Sequence, residues 1–110
     1  PQLDWIASQE AHMVHLLESW SRINSGSTHI AGLARMAKVL EDNFFWLQGA
    51  MERIPLSPMQ VVSDTGEVSE QPLGEAIRIR KRPEAPIRLL LVGHYDTVFG
   101  ETHPFQAPRF

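Results

Sequence analysis

A nearly unbroken apolar run, Ile87 to Val92, limits the folds open to this chain more than any other feature. Its six residues include one charged member, Arg88, and such a run is typical of a β-strand covered on both faces. A strand of this kind needs other secondary structure on either side, so the run predicts a layered α/β domain. Gly93 is expected to end the strand and let the chain turn, which would present His94 and Asp96 side by side.

The residues before position 50 have the periodicity of two helices. The first is predicted over residues 3–23 and should break at the turn formers of residues 24–27. The second should begin at Ser27 or Thr28, either of which can cap free backbone N–H groups, and stop at Gly49. Phe45 and Trp46 lie off its apolar stripe, which indicates a helix contacted on more than one side. That stripe consists of Ile30, Leu33, Ala37, Leu40, Phe44 and Leu47.

The later residues have the pattern of extended chain. A short strand is predicted at Gln60 to Ser63, followed by a turn at residues 64–66. Glu75 to Arg82 alternates isoleucine with arginine, which predicts a strand with one wet face. The expected architecture is therefore α/β, with two N-terminal helices followed by strands of a mixed sheet. Because few elements remain to cover the run at 87–92, residues 1–110 are expected to be an incomplete domain.

Composition excludes several classes of function. The chain has no cysteine, so a metal could be held only by His, Asp or Glu. The formal net charge is −3, and the basic cluster at Arg78 to Arg82 alternates with isoleucine; neither predicts a nucleic-acid partner. No apolar stretch approaches the roughly 20 residues that span a bilayer, and no signal peptide is visible. We therefore expect a cytoplasmic protein with neither a membrane nor a nucleic-acid partner.

His94 and Asp96 are the strongest candidates for chemistry. In open α/β sheets, ligands bind beyond the carboxyl ends of strands, and residues two apart on extended chain project to the same side. A metal-bound imidazole usually donates its other ring N–H to a carboxylate. This spacing therefore fits either a metal site or a structural pair, and the residues alone favour neither.

The segment LLLVGHYDTVF, residues 89–99, resembles the Gly-His-x-Asp-Thr-Val segment of a co-catalytic zinc peptidase family. That family includes acetylornithine deacetylase, succinyl-diaminopimelate desuccinylase, aminoacylase and bacterial glutamate carboxypeptidase. The segment INSGSTHIAGLARMAKVL, residues 23–40, resembles the N-terminal segment of the same family. The order of helices and strands matches as well, so the resemblance covers nearly the whole chain.

The resemblance implies a zinc-exopeptidase-like three-layer catalytic domain, of which residues 1–110 would be the N-terminal part. It implies that His94 ligates one of two zinc ions, which cobalt or manganese could replace, and that Asp96 is the active-site carboxylate that orients His94. The implied reaction is hydrolysis of an amide next to a free carboxylate, in small peptides or N-acyl amino acids.

In relatives the remaining ligands and the general base lie further along the chain, as does a smaller domain that often forms homodimers. The resemblance therefore makes the rest of the catalytic domain a partner of these residues, which alone should be inactive and bind zinc weakly. The alternative is a non-catalytic α/β module that acts by binding a partner chain.

The other histidines are weaker candidates. His12 and His15 lie one helical turn apart and are expected to be solvated surface residues. His29 is interpreted as a surface or cap-adjacent residue. His103 lies in a loop near the predicted site, where it is expected to be exposed.

Overall fold

The computed structural model describes residues 1–109 and contains both helices and small antiparallel sheets. The N-terminal part forms α1 (Gln2–Ser8), α2 (Glu10–Ser21) and α3 (Ile30–Phe44), followed by a 3-10 turn at Phe45–Leu47. The helix predicted over residues 3–23 is thus two helices, which meet at Gln9. No residue of α1 or α2 is buried, and the apolar side chains of both helices remain largely exposed.

The ends of α3 differ from the prediction at both termini. His29 is its N-cap residue, and neither Ser27 nor Thr28 caps it, since the helix has no side-chain cap hydrogen bond. At the other end the helix stops at Phe44 rather than at Gly49, and Gln48, with φ of 54°, adopts the left-handed conformation after the 3-10 turn. Phe45 and Trp46 are exposed, so the second contact face predicted for this helix is not formed within residues 1–109.

Four strands form two separate antiparallel pairs. They are β1 (Ala50–Pro55), β2 (Met59–Val62), β3 (Val68–Gln71) and β4 (Glu75–Arg80). β1 pairs with β4, and β2 pairs with β3 through a turn in which Gly66 has φ of 84°. The predicted strands near residues 60 and 75 and the turn between them are confirmed, and β4 has one wet face as predicted. The predicted mixed sheet is wrong for residues 1–109, because both ladders are antiparallel.

The buried apolar core is small. Leu33, Met36 and Ala37 of α3 are its buried side chains, and α3 packs against β4. The Cα radius of gyration is 17.3 Å, whereas a compact chain of this length has about 13 Å. Residues 1–109 therefore leave much of their apolar surface uncovered.

The strand predicted at Ile87 to Val92 is not formed. These residues have no regular secondary structure, and their five apolar side chains are 80–93% exposed. A strand exists only where a neighbour accepts and donates its ladder hydrogen bonds, and the described residues place no strand beside this run. The prediction correctly identified an apolar segment, but its expected burial is wrong for these residues.

Among residues 1–109, no helix combines the length and apolar character required to cross a membrane.

Candidate metal-ligand site

His94 and Asp96 contact each other in the structure. The Nδ1 atom of His94 lies 3.1 Å from Oδ1 of Asp96 and 3.0 Å from the backbone oxygen of the same residue. Both neighbours are oxygens, and an ionised carboxylate and a carbonyl can only accept, so Nδ1 carries the proton and donates. In the neutral imidazole this fixes the tautomer with its lone pair on Nε2. The side chain of His94 is 84% exposed, so the ring is accessible from outside.

The second carboxylate oxygen of Asp96 accepts a hydrogen bond from Ser27. The Ser27 hydroxyl lies 2.6 Å from Oδ2, while Oδ1 is left for His94. The hydrogen bond from Ser27 lowers the pKa of the Asp96 carboxyl, with a smaller contribution from His94, although partial burial acts in the opposite direction. Asp96 is therefore held ionised between a hydroxyl and an imidazole.

Backbone contacts bring Ser27 to Asp96 across about 70 residues of sequence. Gly26 and Thr97 form an isolated parallel bridge, in which Ser27 N donates to Thr97 O at 3.0 Å and Thr97 N donates to Ser25 O at 2.9 Å. Ser25 is fully buried at this junction. A Cβ atom on Gly26 would lie 2.6 Å from the carbonyl oxygen of Phe99, so only glycine permits this approach. Gly93, by contrast, has open space around it and no unusual φ, so the turning role predicted for it has no structural basis.

Tyr95 anchors the opposite side of the segment. Its hydroxyl donates to the backbone oxygen of Glu75 at the start of β4, and burial raises the pKa of the phenol. The residue between His94 and Asp96 thus contacts the β1–β4 sheet, while Asp96 contacts the loop before α3. These two attachments hold the His94 backbone although the preceding run is uncovered.

A third set of contacts fastens the following loop, residues 99–106, to the same turn before α3. Asn24 donates through Nδ2 to the backbone oxygens of Phe99 and Gly100 and to the Gln106 side chain. His29 is 13% exposed, with Nδ1 3.0 Å from Asn24 Oδ1 and Nε2 3.1 Å from Glu101. The prediction of a surface or cap-adjacent residue is wrong for His29, which is itself the N-cap residue of α3 and bridges two segments.

The remaining histidines lie apart from this pair. His12 and His15 are exposed on α2, as predicted. His103 is exposed and stays within its own loop, where it accepts a hydrogen bond from Phe105 N and its ring lies 4.8 Å from that of Phe99. Within residues 1–109, no group of three or more His, Asp or Glu side chains could together hold a metal ion.

The arrangement supplies one oriented nitrogen ligand. A neutral imidazole is a good zinc ligand, and a carboxylate on its other ring nitrogen is the usual means of fixing its tautomer. The prediction that Asp96 can approach the His94 ring is confirmed, whereas the contact of Ser27 with Asp96 was not predicted. Ser27 was predicted only as a candidate helix cap, which is the usual role of a serine before a helix, and no local pattern pointed to Asp96.

Comparisons of the chain with protein-family models, with curated proteins and with solved structures gave no match.

Proposed function

We propose that this chain carries the first metal-ligating segment of a zinc-dependent hydrolase that cleaves an amide next to a free carboxylate. The observation that supports the proposal is the hydrogen bonding of His94. Its Nδ1 is occupied by Asp96, which leaves the Nε2 lone pair available on an exposed ring. The resemblance of residues 89–99 to the zinc peptidase segment assigns the same two roles to the same two residues.

Zinc, when bound, would polarise the scissile carbonyl and lower the pKa of a bound water. The residues of this chain would contribute before that chemistry begins. Asp96 holds the His94 ring in one tautomer and one orientation, and its negative charge makes the Nε2 lone pair more basic and so a better ligand for a metal ion. The remaining ligands and the general base would come from segments that follow in relatives, so substrate choice lies outside these residues.

The proposal also accounts for the exposed run at 87–92. In a three-layer catalytic domain this run would be an inner strand of the sheet, covered on both faces by helices. Five exposed large apolar side chains within six residues are unusual on the surface of a soluble monomer, and exposed apolar patches of this kind mark interaction sites. We infer that the run is a surface completed by other segments.

The experiment compares the polypeptide from the complete reading frame with its His94→Ala variant. Bound zinc is measured by elemental analysis, and hydrolysis is measured on N-acyl amino acids and on small peptides with a free C-terminus. We expect His94→Ala to lose both zinc and turnover, and the matched control His12→Ala, which changes an exposed helix histidine, to keep both. Unchanged zinc content and unchanged turnover in His94→Ala would refute the role of this residue.

A second candidate function, a non-catalytic module that binds a partner chain, is favoured by one observation. Phe45 and Trp46 are both exposed, and they are far in sequence from the apolar run at 87–92. Light scattering on the 110-residue chain over a range of concentrations would bear on this reading. Concentration-dependent association that Trp46→Ser reduces would support it, and a monomer at every concentration would oppose it.

A further inference from the structure

We propose that Ser27 is a positioning residue for the metal ligand, acting through Asp96; the inference rests on the proposed function of His94. The three side chains form one line of contacts from Ser27 Oγ to Asp96 Oδ2 at 2.6 Å, and from Asp96 Oδ1 to His94 Nδ1 at 3.1 Å. Each carboxylate oxygen thus has its own side-chain partner. A carboxylate held at one oxygen only could rotate about its Cβ–Cγ bond and exchange the oxygen that faces the ring.

The Ser27 hydroxyl has one proton and two acceptors within reach. Thr97 O lies 3.1 Å away, and it already accepts the backbone N–H of Ser27. Asp96 Oδ2 is closer, at 2.6 Å, and is charged, and hydrogen bonds to ionised acceptors are shorter and stronger than neutral ones. The Ser27 hydroxyl therefore donates its proton to the Asp96 carboxylate rather than to the Thr97 carbonyl.

The backbone makes Ser27 a rigid donor. Its N–H is held by Thr97 O, and the preceding residue, Gly26, lies in the parallel bridge to Thr97. Asp96 is the neighbour of Thr97, so the same bridge fixes both ends of the hydroxyl–carboxylate contact. A donor fixed in this way limits the carboxylate to one orientation, and the carboxylate, together with the Asp96 backbone oxygen 3.0 Å from the same Nδ1, limits the imidazole to one tautomer.

The test measures the tautomer of His94 by long-range ¹H–¹⁵N NMR on the 110-residue chain, at a pH where the ring is neutral. In the wild type we expect the form protonated at Nδ1. Asp96→Asn should lower the ratio of Nδ1–H to Nε2–H by about tenfold, as expected for loss of one charge-assisted hydrogen bond. Ser27→Ala should lower the same ratio by at least about threefold, since it loosens the acceptor without removing it.

Two further variants separate positioning from folding. Ser27→Thr keeps the hydroxyl and should restore the wild-type ratio, whereas Ser63→Ala removes a hydroxyl from the distant hairpin and should leave it unchanged. The Thr97 amide shift, followed in the same samples, reports whether the bridge persists. An unchanged tautomer ratio in Ser27→Ala with the bridge intact would overturn the inference, as would failure of Ser27→Thr to restore it.

The outcome is independent of metal and turnover, so it is distinguishable from failure of the proposed function. A shifted tautomer in Ser27→Ala together with zinc and hydrolysis that do not depend on His94 would reject the hydrolase and keep the positioning contact. Loss of zinc in His94→Ala, together with a His94 tautomer ratio that Ser27→Ala leaves unchanged, would reject the positioning role alone.

Discussion

Gly26→Ala tests whether the junction between the turn before α3 and the Asp96 segment is as tight as the structure describes. The new Cβ would lie 2.6 Å from the Phe99 carbonyl oxygen and 3.3 Å from the Gly100 Cα. Both obstacles are backbone, so no side chain can rotate away, and the carbonyl must move by about 0.7 Å to reach an ordinary C···O contact. A shift of that size separates the two bridge hydrogen bonds of 2.9 and 3.0 Å.

Losing both bonds costs about 2 kcal/mol at a net value near 1 kcal/mol each, within the range measured for overpacked sites. That energy corresponds to a change of about 30-fold in the equilibrium constant between the closed and the open junction. Amide hydrogen exchange of Ser27 and Thr97, measured by NMR, reports this equilibrium directly. Protection of both amides should therefore fall about 30-fold in Gly26→Ala.

The matched control is Gly93→Ala, which adds the same methyl group where no atom lies within 4 Å and φ is ordinary. It should leave both protections unchanged, or raise stability slightly by restricting the unfolded chain. The reasoning fails if Gly26→Ala changes the protection of Thr97 by less than threefold. It fails equally if the two alanine variants give the same loss, or if the wild-type amides are unprotected.

Four further predictions concern other contacts and one exposed side chain of the described residues. Arg53 donates to both oxygens of Glu41 at 2.7 and 2.9 Å, so Arg53→Met should destabilise the chain by about 2 kcal/mol in urea unfolding. The hydrogen bond from Arg53 lowers the pKa of Glu41. The stabilisation from this ion pair is therefore complete above the ordinary carboxyl pKa and is lost as the pH falls through the lowered pKa of Glu41. Urea unfolding midpoints measured against pH should show this loss in the wild type and not in Glu41→Gln. Tyr95→Phe removes the donor to Glu75 O and should cost about 1 kcal/mol, seen as faster exchange of the amides around His94. Leu90→Lys should leave the folded stability unchanged, because this side chain is exposed, while raising the concentration at which light scattering detects aggregation.

The sequence predicted the local elements better than their partners. The wet face of β4, the hairpin turn and α3 follow from short-range patterns of residues that the structure confirms. β1 was missed because Ala50–Pro55 has no alternation of apolar and polar residues. Its strand conformation comes from pairing with β4, which places Met51 opposite Ile79. The error at 87–92 has the same origin, since an apolar run predicts burial only if other segments supply the cover.

The candidate site was proposed from two residues close in sequence, and the contact that was missed joins residues distant in sequence. A spacing of two on extended chain already suggests that His94 and Asp96 can touch. Nothing local indicates that Ser27 reaches Asp96, because that contact depends on the bridge between Gly26 and Thr97. Gly26, not Gly93, is the glycine that the site requires, and only the approach of Phe99 shows why.

The stability of the His94 segment is therefore separable from the burial of the strand that precedes it. The run at 87–92 is exposed, yet residues 94–97 are held at three points. Ser27 donates to Asp96, the bridge joins Thr97 to Gly26, and the Tyr95 hydroxyl donates to the backbone of Glu75 at the start of β4. If the apolar run were the sole support of His94, this residue would be free to move whenever the run lacks cover. The three attachments instead come from α3's leading turn and from β4, elements that form within the described residues. Orientation of the His94 ring therefore does not require cover of the apolar run, and the tautomer of His94 in the 110-residue chain is the quantity that tests this independence.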